Sequence, residues 1–326
     1  MNTMKNVNIG FIGAGDISVL HAQAIKEIPG AELVGLWNLT GTLAEEKCKL
    51  FNCRKYESAE ALVTDPGIDA VFILTALEAH HQYALLALRS GKHVYVEKPV
   101  GATVREIQDM KTAAANAGKI CMPGHNYIYE PGVTRAKDLL EAGKLGDLVS
   151  LYVLYNIQHP EEVAARFPGV IRQILTHHAY ITLYLAGQPV KVSAMKSTIH
   201  YEQIAQEDLA MATLKMSNGA LVHLCASFAA DDHAGDPWTM MIKLIGTKGA
   251  TRYSYRDWVE NTPAQVHSQT YSAYPYTILN ADRFFIEQCV MAGKEPLSTL
   301  DDAIVAQKMV EAVEASIKDE QTVALD

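Results

Sequence analysis

Short apolar runs alternate with segments of helical periodicity along the first 122 residues of this chain. The opening run, Val7–Ile12, is followed by a helical pattern at Ile17–Ile28, and the same succession repeats three more times before a last short run. Apolar runs separated by helices are typical of parallel β-α units with helices on both faces of the sheet. The sequence therefore predicts an α/β fold with a doubly wound parallel sheet. The predicted strands are Val7–Ile12, Glu32–Trp37, Asp69–Leu74, His93–Val96 and Lys119–Met122, and the predicted helices are Ile17–Ile28, Thr42–Phe51, Glu78–Ser90 and Thr103–Ala117.

The alternation ends at Pro123-Gly124-His125-Asn126, where we expect a boundary between domains 1–123 and 124–326. Beyond it, strand-like runs follow one another directly, and Asn218-Gly219 is a hairpin turn signal. This order predicts an α+β domain with a largely antiparallel sheet. The predicted helices here are Val133–Ala142, Ile171–Ala186, Thr277–Ala292 and Asp301–Asp319, and the predicted strands are Leu148–Tyr155, Val190–His200, Leu209–Met216, Ala220–Phe228 and Thr239–Ile245.

Composition argues against several classes of protein. The net charge of −9 disfavours general binding to nucleic acid or anionic membranes, which needs a basic face. No run of about 20 apolar residues could span a bilayer. The five cysteines are scattered without metal-ligand spacing, so we expect reduced thiols in a cytoplasmic protein. Asp231-Asp232-His233 has metal-ligand residue types but stands in a predicted loop, and we expect no metal there.

A glycine turn stands at the first strand–helix junction. Gly13 allows a tight turn, and Gly15 lets the backbone approach a pyrophosphate without an intervening side chain. Asp16 and Ile17 open the helix, whose free N–H groups favour phosphate. Ser18 stands where the fingerprint has a third small residue. The position of the motif at this junction predicts a dinucleotide site of the Rossmann type.

The end of the second predicted strand bears on cofactor choice. The fingerprint expects an acidic residue there for the adenosine ribose, but this chain has Asn38. An amide can bond a ribose hydroxyl without repelling a 2′-phosphate, and no arginine stands beside it. Both NAD and NADP therefore stay open, and the sequence slightly favours NAD.

Further motifs run nearly end to end and resemble one family. Glu97-Lys98-Pro99 follows the strand His93–Val96, and later motifs keep the same family spacing. The chain resembles the glucose–fructose oxidoreductase and inositol dehydrogenase (Gfo/Idh/MocA) family of NAD(P)-dependent, two-domain oxidoreductases. The later motifs are Gly143-Lys144-Leu145-Gly146, Ile245-Gly246-Thr247-Lys248-Gly249 and Ser298-Thr299-Leu300-Asp301-Asp302-Ala303.

The resemblance implies an active site on the first domain. Lys98 would line it beside nicotinamide and substrate, where a partly desolvated lysine can bond or deprotonate a hydroxyl. It also implies a substrate contact at Tyr127. The Thr-Pro-Asn segment of the family is Thr75-Ala76-Leu77 here, which keeps only its backbone contact. The implied cofactor contacts are Gly13, Gly15, Asp16, Ile17, Asn38, Thr75, Ala76, Leu77, His80, Glu97, Lys98 and Asn126.

The family also carries an Asp-x-x-x-His pair on a helix of the second domain. Its spacing to Gly187 selects His177 over His178, so the resemblance makes His177 the general acid/base. Gln173 stands where the carboxylate is expected, and Tyr180 replaces a later aspartate. In a regular helix, positions 173, 177 and 180 share one face. Gln173 and His177 are therefore expected to contact substrate.

Two functions remain open at this point. The first is hydride transfer between a nicotinamide dinucleotide and a secondary alcohol or ketone of a sugar, cyclitol or related polyol, including redox-neutral variants. The second is a non-enzymatic nucleotide- or sugar-sensing protein on the same fold, which the missing carboxylate beside His177 favours. The resemblance also implies a homodimer or homotetramer.

Overall fold

The structure of the protein is a computed structural model, which describes residues 6–229, 238–254, 261–262, 265–266 and 269–325. The chain divides into two compact units. The first holds the described residues up to Tyr129 together with Pro275–Ile304, and the second holds Glu130–Tyr274 and the residues from Val305 onward. The predicted domain boundary at residue 123 stays a prediction. No sequence pattern indicated that the segment Pro275–Ile304 belongs with the first unit.

The first unit contains a six-stranded parallel sheet. Its strands are β1 (Val7–Ile12), β2 (Ala31–Trp37), β3 (Arg54–Lys55), β4 (Ala70–Ile73), β5 (His93–Val96) and β6 (Cys121–Pro123). They lie in the order β3-β2-β1-β4-β5-β6. This order confirms the predicted doubly wound sheet, whose ligands bind at the carboxyl ends of the strands near β1.

The helices of this unit connect successive strands. They are α1 (Ile17–Lys26), α2 (Gly41–Phe51), α3 (Ala59–Thr64), α4 (Leu77–Arg89) and α5 (Val104–Ala117). Their ends follow local chemistry, since the hydroxyl of Thr103 accepts a hydrogen bond from the first turn of α5 and Gly118 ends that helix at a φ of +58°. The four predicted helices are confirmed within two residues at each end, whereas β3 and α3 were not predicted.

The core of the unit lies on both faces of the sheet. Every residue of β4 is buried, which matches its continuous apolar run. On one face, Val71 and Ile73 pack in a cluster with Ala84, Ala87 and Leu88 of α4. Each large aliphatic side chain buried in this way contributes ~1.5–3 kcal/mol relative to exposure. The packing holds the carboxyl ends of β1, β4 and β5 rigidly side by side.

The second unit contains a seven-stranded mixed sheet. Its strands are β7 (Leu148–Ile157), β8 (Pro189–Ser197), β9 (Leu209–Met216), β10 (Leu221–Ser227), β11 (Trp238–Gly246), β12 (Ala250–Ser254) and, near the C-terminus, β15 (Val323–Ala324). They lie in the order β12-β11-β7-β10-β9-β8-β15. Among the described strands of this sheet, β7 and β10 alone pair in parallel, so the predicted, largely antiparallel sheet is confirmed. Two short strands, β13 (Asn261–Thr262) and β14 (Gln265–Val266), pair separately.

Turns and strand ends of this sheet have local causes. The Asn218-Gly219 hairpin is confirmed, and Gly219 has a φ of +89°. The predicted strand Val190–His200 was too long, since β8 ends at Ser197. Beyond it, the backbone N–H groups of residues 199–201 donate to the buried Asp208 carboxylate instead of extending the sheet. Strand β12 was not predicted, although its turn at Lys248-Gly249 was.

The remaining helices are α6 (Pro131–Glu141), α7 (Glu161–Ala164), α8 (Thr176–Ala186), α9 (Gln269–Arg283) and α10 (Leu300–Asp319). The single helix predicted over Ile171–Ala186 is divided, because Ile171–Leu175 form a wider π-helical segment before α8. A second π-helical segment, Phe284–Met291, continues α9. Across the described residues, no helix is long and apolar enough to cross a bilayer.

Candidate functional site

The chain turns sharply between β1 and α1 at Gly13. Its φ of +112° lies in a region that side chains rarely adopt, and a Cβ there would collide with the carbonyl oxygen of Leu74. The N–H of Gly13 donates to the carbonyl of Trp37 at 2.9 Å. Both neighbouring strands therefore hold this turn, and only glycine fits it.

The residues after this turn face solvent. Gly15 and Asp16 are exposed, and a Cβ at Gly15 would meet no atom within 4 Å. Helix α1 begins at Ile17, and the Asp16 side chain makes no capping hydrogen bond. Ser18 is buried, and its hydroxyl donates to the Gly15 carbonyl at 2.6 Å. The turn thus presents an open helix N-terminus, and this geometry fits a pyrophosphate group.

Asn38 lies directly after β2 and contacts the glycine turn. Its side-chain oxygen accepts a hydrogen bond from the N–H of Ala14 at 3.1 Å. Its amide nitrogen donates to the carbonyl of Thr40 at 3.2 Å. The residue predicted to bind the adenosine ribose therefore also braces the turn, a role that the sequence did not suggest.

The loop after β4 is tied to the segment after β5 by His80. One ring nitrogen lies 2.7 Å from the carbonyl oxygen of Pro99, and the other lies 3.0 Å from that of Thr75. Burial lowers the pKa of His80, and a neutral ring donates to one of these carbonyls at a time. His80 thus holds this loop by contacting the backbone of the loop. The next residues are Ala76, which is exposed, and Leu77, which begins α4.

Glu97 and Lys98 stand at the carboxyl end of β5. One Glu97 carboxylate oxygen accepts a hydrogen bond from the Lys98 N–H at 3.1 Å, and the Lys98–Pro99 peptide bond is cis. Lys98 is half-buried, and burial lowers the pKa of its ammonium group while the Glu97 charge opposes this. Gly124 approaches closely, since a Cβ there would lie 3.0 Å from the Glu97 Cα. A lysine with a lowered pKa at a strand end suits a hydrogen bond or proton transfer to a ligand hydroxyl.

A fully buried histidine connects this motif with α9. His21 Nε2 lies 3.2 Å from Glu97 Oε1, and its Nδ1 lies 2.9 Å from both carboxylate oxygens of Asp282. Sequence reasoning missed His21 and Asp282, because 261 residues separate them and neither belongs to a local motif.

Asn126 and Tyr127 form a short turn after β6. Asn126 is buried, and its amide donates to the hydroxyl of Thr277 at 2.5 Å. Tyr127 is fully buried. The neighbouring His125 lies 2.7 Å from the Ser298 hydroxyl, and burial lowers the pKa of its ring to about 3. Thr277 and Ser298, both from the segment Pro275–Ile304, thus contact this turn. The predicted ligand contacts of Asn126 and Tyr127 stay predictions.

His177 is buried on α8 in the second unit. Its Nδ1 lies 2.7 Å from the Tyr180 hydroxyl, and its ring packs against Tyr155 with centroids 5.8 Å apart. The predicted shared face of His177 and Tyr180 is therefore confirmed. Gln173 lies in the π-helical segment before α8, where its N–H donates to the Gly169 carbonyl at 3.0 Å. The wider turn there departs from the regular α-helical spacing on which its predicted place beside His177 depended.

The next histidine lies on a different face of α8. His178 is fully buried, and neither ring nitrogen has a hydrogen-bond partner among the described residues. Burial lowers its pKa to about 3, so its ring is neutral near pH 7. Tyr184, on the helical face predicted for His177, lies under the Lys137 ammonium, 5.5 Å from ring centroid to nitrogen. His177 is thus the histidine of this helix that has a polar partner suited to proton transfer.

Among the residues that the structure describes, no group of three or more His, Cys, Asp or Glu side chains could hold a metal ion. The sequence cluster Asp231-Asp232-His233 lies outside the described residues.

Both units match models of known protein families. Residues 7–125 match the family model for the oxidoreductase family with an NAD-binding Rossmann fold, and residues 133–252 match the GFO/IDH/MocA C-terminal domain. These two matches cover most of the chain and correspond to the two sheets described above.

Relatives of full length agree with this match. The chain is 25% identical to a 4-carboxy-2-hydroxymuconate-6-semialdehyde dehydrogenase of a Sphingobium species, over 96% of this chain and 99% of the relative. It is 25% identical to the scyllo-inositol 2-dehydrogenase (NAD(+)) of Bacillus subtilis, over 98% and 96% of the two chains. A Lactobacillus casei scyllo-inositol dehydrogenase, solved with bound NAD(H) and scyllo-inositol, shares the fold with a TM-score of 0.85 and 20% identity, over 98% and 99% of the chains.

These matches account for the glycine turn, the Glu97-Lys98-Pro99 segment and the mixed second sheet. The chain belongs to the GFO/IDH/MocA family of oxidoreductases and carries its NAD-binding Rossmann fold.

Proposed function

We propose that this protein is an NAD-dependent dehydrogenase acting on a secondary alcohol, or the corresponding ketone, of a sugar, cyclitol or related polyol. The observation that carries the proposal is the pairing, within one compact unit, of an open glycine turn with a half-buried Lys98 of lowered pKa. The inositol dehydrogenases among the relatives support this class of substrate.

The first unit supplies the residues that would hold the cofactor. Gly15, Asp16 and Ile17 offer the helix N-terminus to the pyrophosphate, with Gly13 setting the turn. Asn38 is our candidate for the adenosine ribose. The backbone of Thr75, Ala76 and Leu77, together with His80, Glu97, Lys98 and Asn126, would complete the nicotinamide side. When bound, the nicotinamide supplies the hydride chemistry that protein side chains lack.

The chain's own residues would handle the proton. His177 would accept the proton of the substrate hydroxyl during oxidation, which requires that its Nε2 carries no hydrogen. This tautomer forms when Nδ1–H donates to the Tyr180 hydroxyl oxygen, 2.7 Å away. Lys98 would bond a substrate hydroxyl and stabilise developing negative charge on it. Gln173 and Tyr127 are our further candidates for substrate contacts.

A panel assay tests the proposal. Purified protein is mixed with NAD or NADP and a panel of inositols, aldoses and their acids, and reduced cofactor is followed by its absorbance. Turnover with at least one polyol, and faster with NAD than with NADP, is expected. A single-turnover experiment rules out slow release of bound cofactor as the limit. Cofactor binding without any reduction across the panel would favour the sensor instead.

We further infer a homodimer or homotetramer that associates through the open face of the second sheet. On that face, Tyr152 of β7, His223 of β10 and Thr213 of β9 lie side by side. Exposed Leu221 and Met211 lie on the same face. Light scattering after size exclusion should give a multiple of the 35.7 kDa chain mass. Leu221→Glu should shift that mass downward, and a monomeric wild type at micromolar concentration would contradict this inference.

The compartment is inferred to be the cytoplasm, and the free state of all five cysteines supports this. Cell fractionation with antibody detection tests it.

A further inference from the structure

Three ionisable side chains meet in the interior of the first unit. His21 comes from the second turn of α1, Glu97 from the segment after β5, and Asp282 from α9. His21 and Asp282 are fully buried and Glu97 is 6% exposed. Each ring nitrogen of His21 faces a carboxylate oxygen, Glu97 at 3.2 Å and Asp282 at 2.9 Å. Burying several ionisable groups so close together costs free energy unless the charges are paired, so their presence calls for a functional explanation.

Aromatic rings close off the rest of the imidazole. Phe11 of β1, Phe72 of β4 and Tyr95 of β5 have ring centroids 6.4, 5.5 and 5.3 Å from that of His21. Tyr95 is the titratable member of this set. The two carboxyl groups accept or share the hydrogen bonds of the His21 ring, and each contact has large weight because the protein interior has a low dielectric constant.

The hydrogen bonds fix the number of protons in the group. Glu97 Oε1 faces His21 Nε2, and Glu97 Oε2 accepts from the Lys98 N–H at 3.1 Å. In the tautomer whose Nε2–H donates to Glu97 Oε1, both Glu97 oxygens accept hydrogen bonds, as the oxygens of a carboxylate do. One further proton must then lie between His21 Nδ1 and Asp282. Whether it resides on the ring or on the carboxyl group, the three side chains together carry one negative charge.

We propose that His21 and Asp282 are positioning residues for Lys98: through the proton at Nδ1, Asp282 holds the His21 ring with Nε2–H toward Glu97, which orients the Glu97 carboxylate. Glu97 in turn holds the Lys98 backbone and places a negative charge beside its ammonium. This inference rests on the proposed role of Lys98 in the reaction. It gives a function to two buried ionisable groups that bind neither cofactor nor substrate in the proposed mechanism. It also assigns a task to α9, which would brace the Glu97-Lys98 segment through His21.

The direction of the pKa shifts agrees with this arrangement. Burial alone would lower the pKa of His21, but Asp282 and Glu97 together raise it to about 9. Burial raises the pKa of Asp282 to about 6, against the effect of His21. Near pH 7 the shared proton therefore resides on the ring. Other charged or titratable groups near the cluster are Tyr95 beside the ring and His80 and Lys98 beside Glu97.

The sign of the pH dependence follows from the raised pKa of His21. Its contribution to stability is fully present below about pH 6.5 and is lost as pH rises through about 9, because the folded state then releases the shared proton. The raised pKa of Asp282 acts at lower pH, where ionising the buried carboxyl group reduces stability between about pH 4 and 6. Alkaline titration thus reports on His21.

Two variants separate the orientation of Glu97 by His21 from simple packing. In Asp282→Asn the amide can donate to His21 Nδ1 while Nε2–H still donates to Glu97, so the hydrogen bonds and the net charge are conserved without the titrating proton. In His21→Leu the bridge is lost and two buried carboxyl groups remain, one of which must take up a proton. Tyr56→Phe is a matched control, since it deletes a hydrogen bond to Asp65 elsewhere in the same unit.

The experiment measures kcat, KM and their pH profiles together with cofactor affinity. Asp282→Asn and Tyr56→Phe should keep kcat within about threefold of wild type. His21→Leu should lower kcat by about tenfold or more and shift the kcat limb that reports Lys98, with cofactor affinity changed by less than about threefold. A purely structural histidine would leave that limb in place. An unshifted limb in His21→Leu, or an Asp282→Asn variant as impaired as His21→Leu, overturns the proposal.

A second measurement needs no substrate and so is independent of the proposed function. The Tm of wild type and of Asp282→Asn is measured from pH 7 to pH 10.5. The difference between the two should change with pH through about 9, because only the wild type releases the shared proton there. A difference that stays constant over this range contradicts proton sharing, whether or not any polyol is turned over and whether or not His21→Leu folds.

Discussion

His177 Nδ1 lies 2.7 Å from the hydroxyl oxygen of Tyr180, one helical turn along α8. The family resemblance predicted a carboxylate beside this histidine, whereas this chain has the phenol of Tyr180 there. A phenol can accept from Nδ1–H and so hold the tautomer whose Nε2 accepts a proton. Unlike a carboxylate, it gives no full negative charge to stabilise the imidazolium that forms. The Tyr180 hydroxyl can thus orient the proposed base, but it gives that base less electrostatic support than a carboxylate would.

Replacing Tyr180 by Phe should test this orientation. The ring size is conserved while the hydrogen bond is lost, so the proposed tautomer is no longer favoured. We expect kcat to fall by about tenfold, with KM changed much less, because the contact acts in proton transfer. His177→Asn should lower kcat by about a hundredfold and remove the acidic limb of the kcat/KM profile. The same limb in wild type and His177→Asn would exclude His177 as the titrating base.

Lys98→Ala should lower turnover by about a hundredfold or more while leaving cofactor affinity nearly intact. The reason is that the lowered pKa and half-buried position of the ammonium suit contact with a reacting hydroxyl. Turnover is measured by absorbance and cofactor affinity by fluorescence titration. Lys111→Ala, which removes an exposed ion pair with Asp301, serves as the control and should behave as wild type. Unchanged turnover in Lys98→Ala would remove this residue from the mechanism.

Much of the fold was predictable because its pattern is local. Val7–Ile12, His93–Val96 and Leu209–Met216 are strands with the predicted bounds, since apolar runs or strict alternation mark them. Arg54–Lys55 was missed because two exposed, charged residues have no such pattern. The π-helical segment at Ile171–Leu175 was missed because it has the composition of an ordinary helix.

The site was predictable where a motif marks it and not where the fold brings distant residues together. The turn at Gly13 follows from glycine spacing, and its positive φ confirms the reason. The contact of Asn38 with Ala14, 24 residues away, depends on the packing of β1 beside β2. The bridge between His21 and Asp282 depends on the return of Pro275–Ile304 to the first unit, which no local signal records.

Asn38→Asp should increase the preference for NAD over NADP. The aspartate oxygen can still accept from the Ala14 N–H, so the turn is kept, while its charge repels a 2′-phosphate. We expect the ratio of kcat/KM values for NAD and NADP to rise by about tenfold, measured at constant ionic strength because charge repulsion is screened by salt. Asn38→Ala should weaken both cofactors, since it also releases the turn. An unchanged ratio in Asn38→Asp would place the ribose away from residue 38.

The two glycines of the turn should respond differently to alanine, because one is needed by the fold and the other by the ligand. Gly13→Ala forces a side chain into a φ of +112° and against the Leu74 carbonyl, so we expect a loss of ~1–3 kcal/mol in the free energy of unfolding. Gly15→Ala meets no atom within 4 Å and should leave that free energy nearly unchanged. Its methyl group would occupy the space of a pyrophosphate, so NAD affinity should fall by about tenfold or more.

Thermal unfolding without ligand and NAD titration together separate the two effects. Gly41→Ala is the control, since a Cβ there also meets open space but lies in α2. It should change neither the free energy of unfolding nor NAD affinity by a measurable amount. If Gly15→Ala binds NAD as tightly as Gly41→Ala does, the pyrophosphate does not lie against the N-terminus of α1. The open turn would then be a feature of the fold alone, and the assignment of Gly15, Asp16 and Ile17 to the cofactor would be wrong.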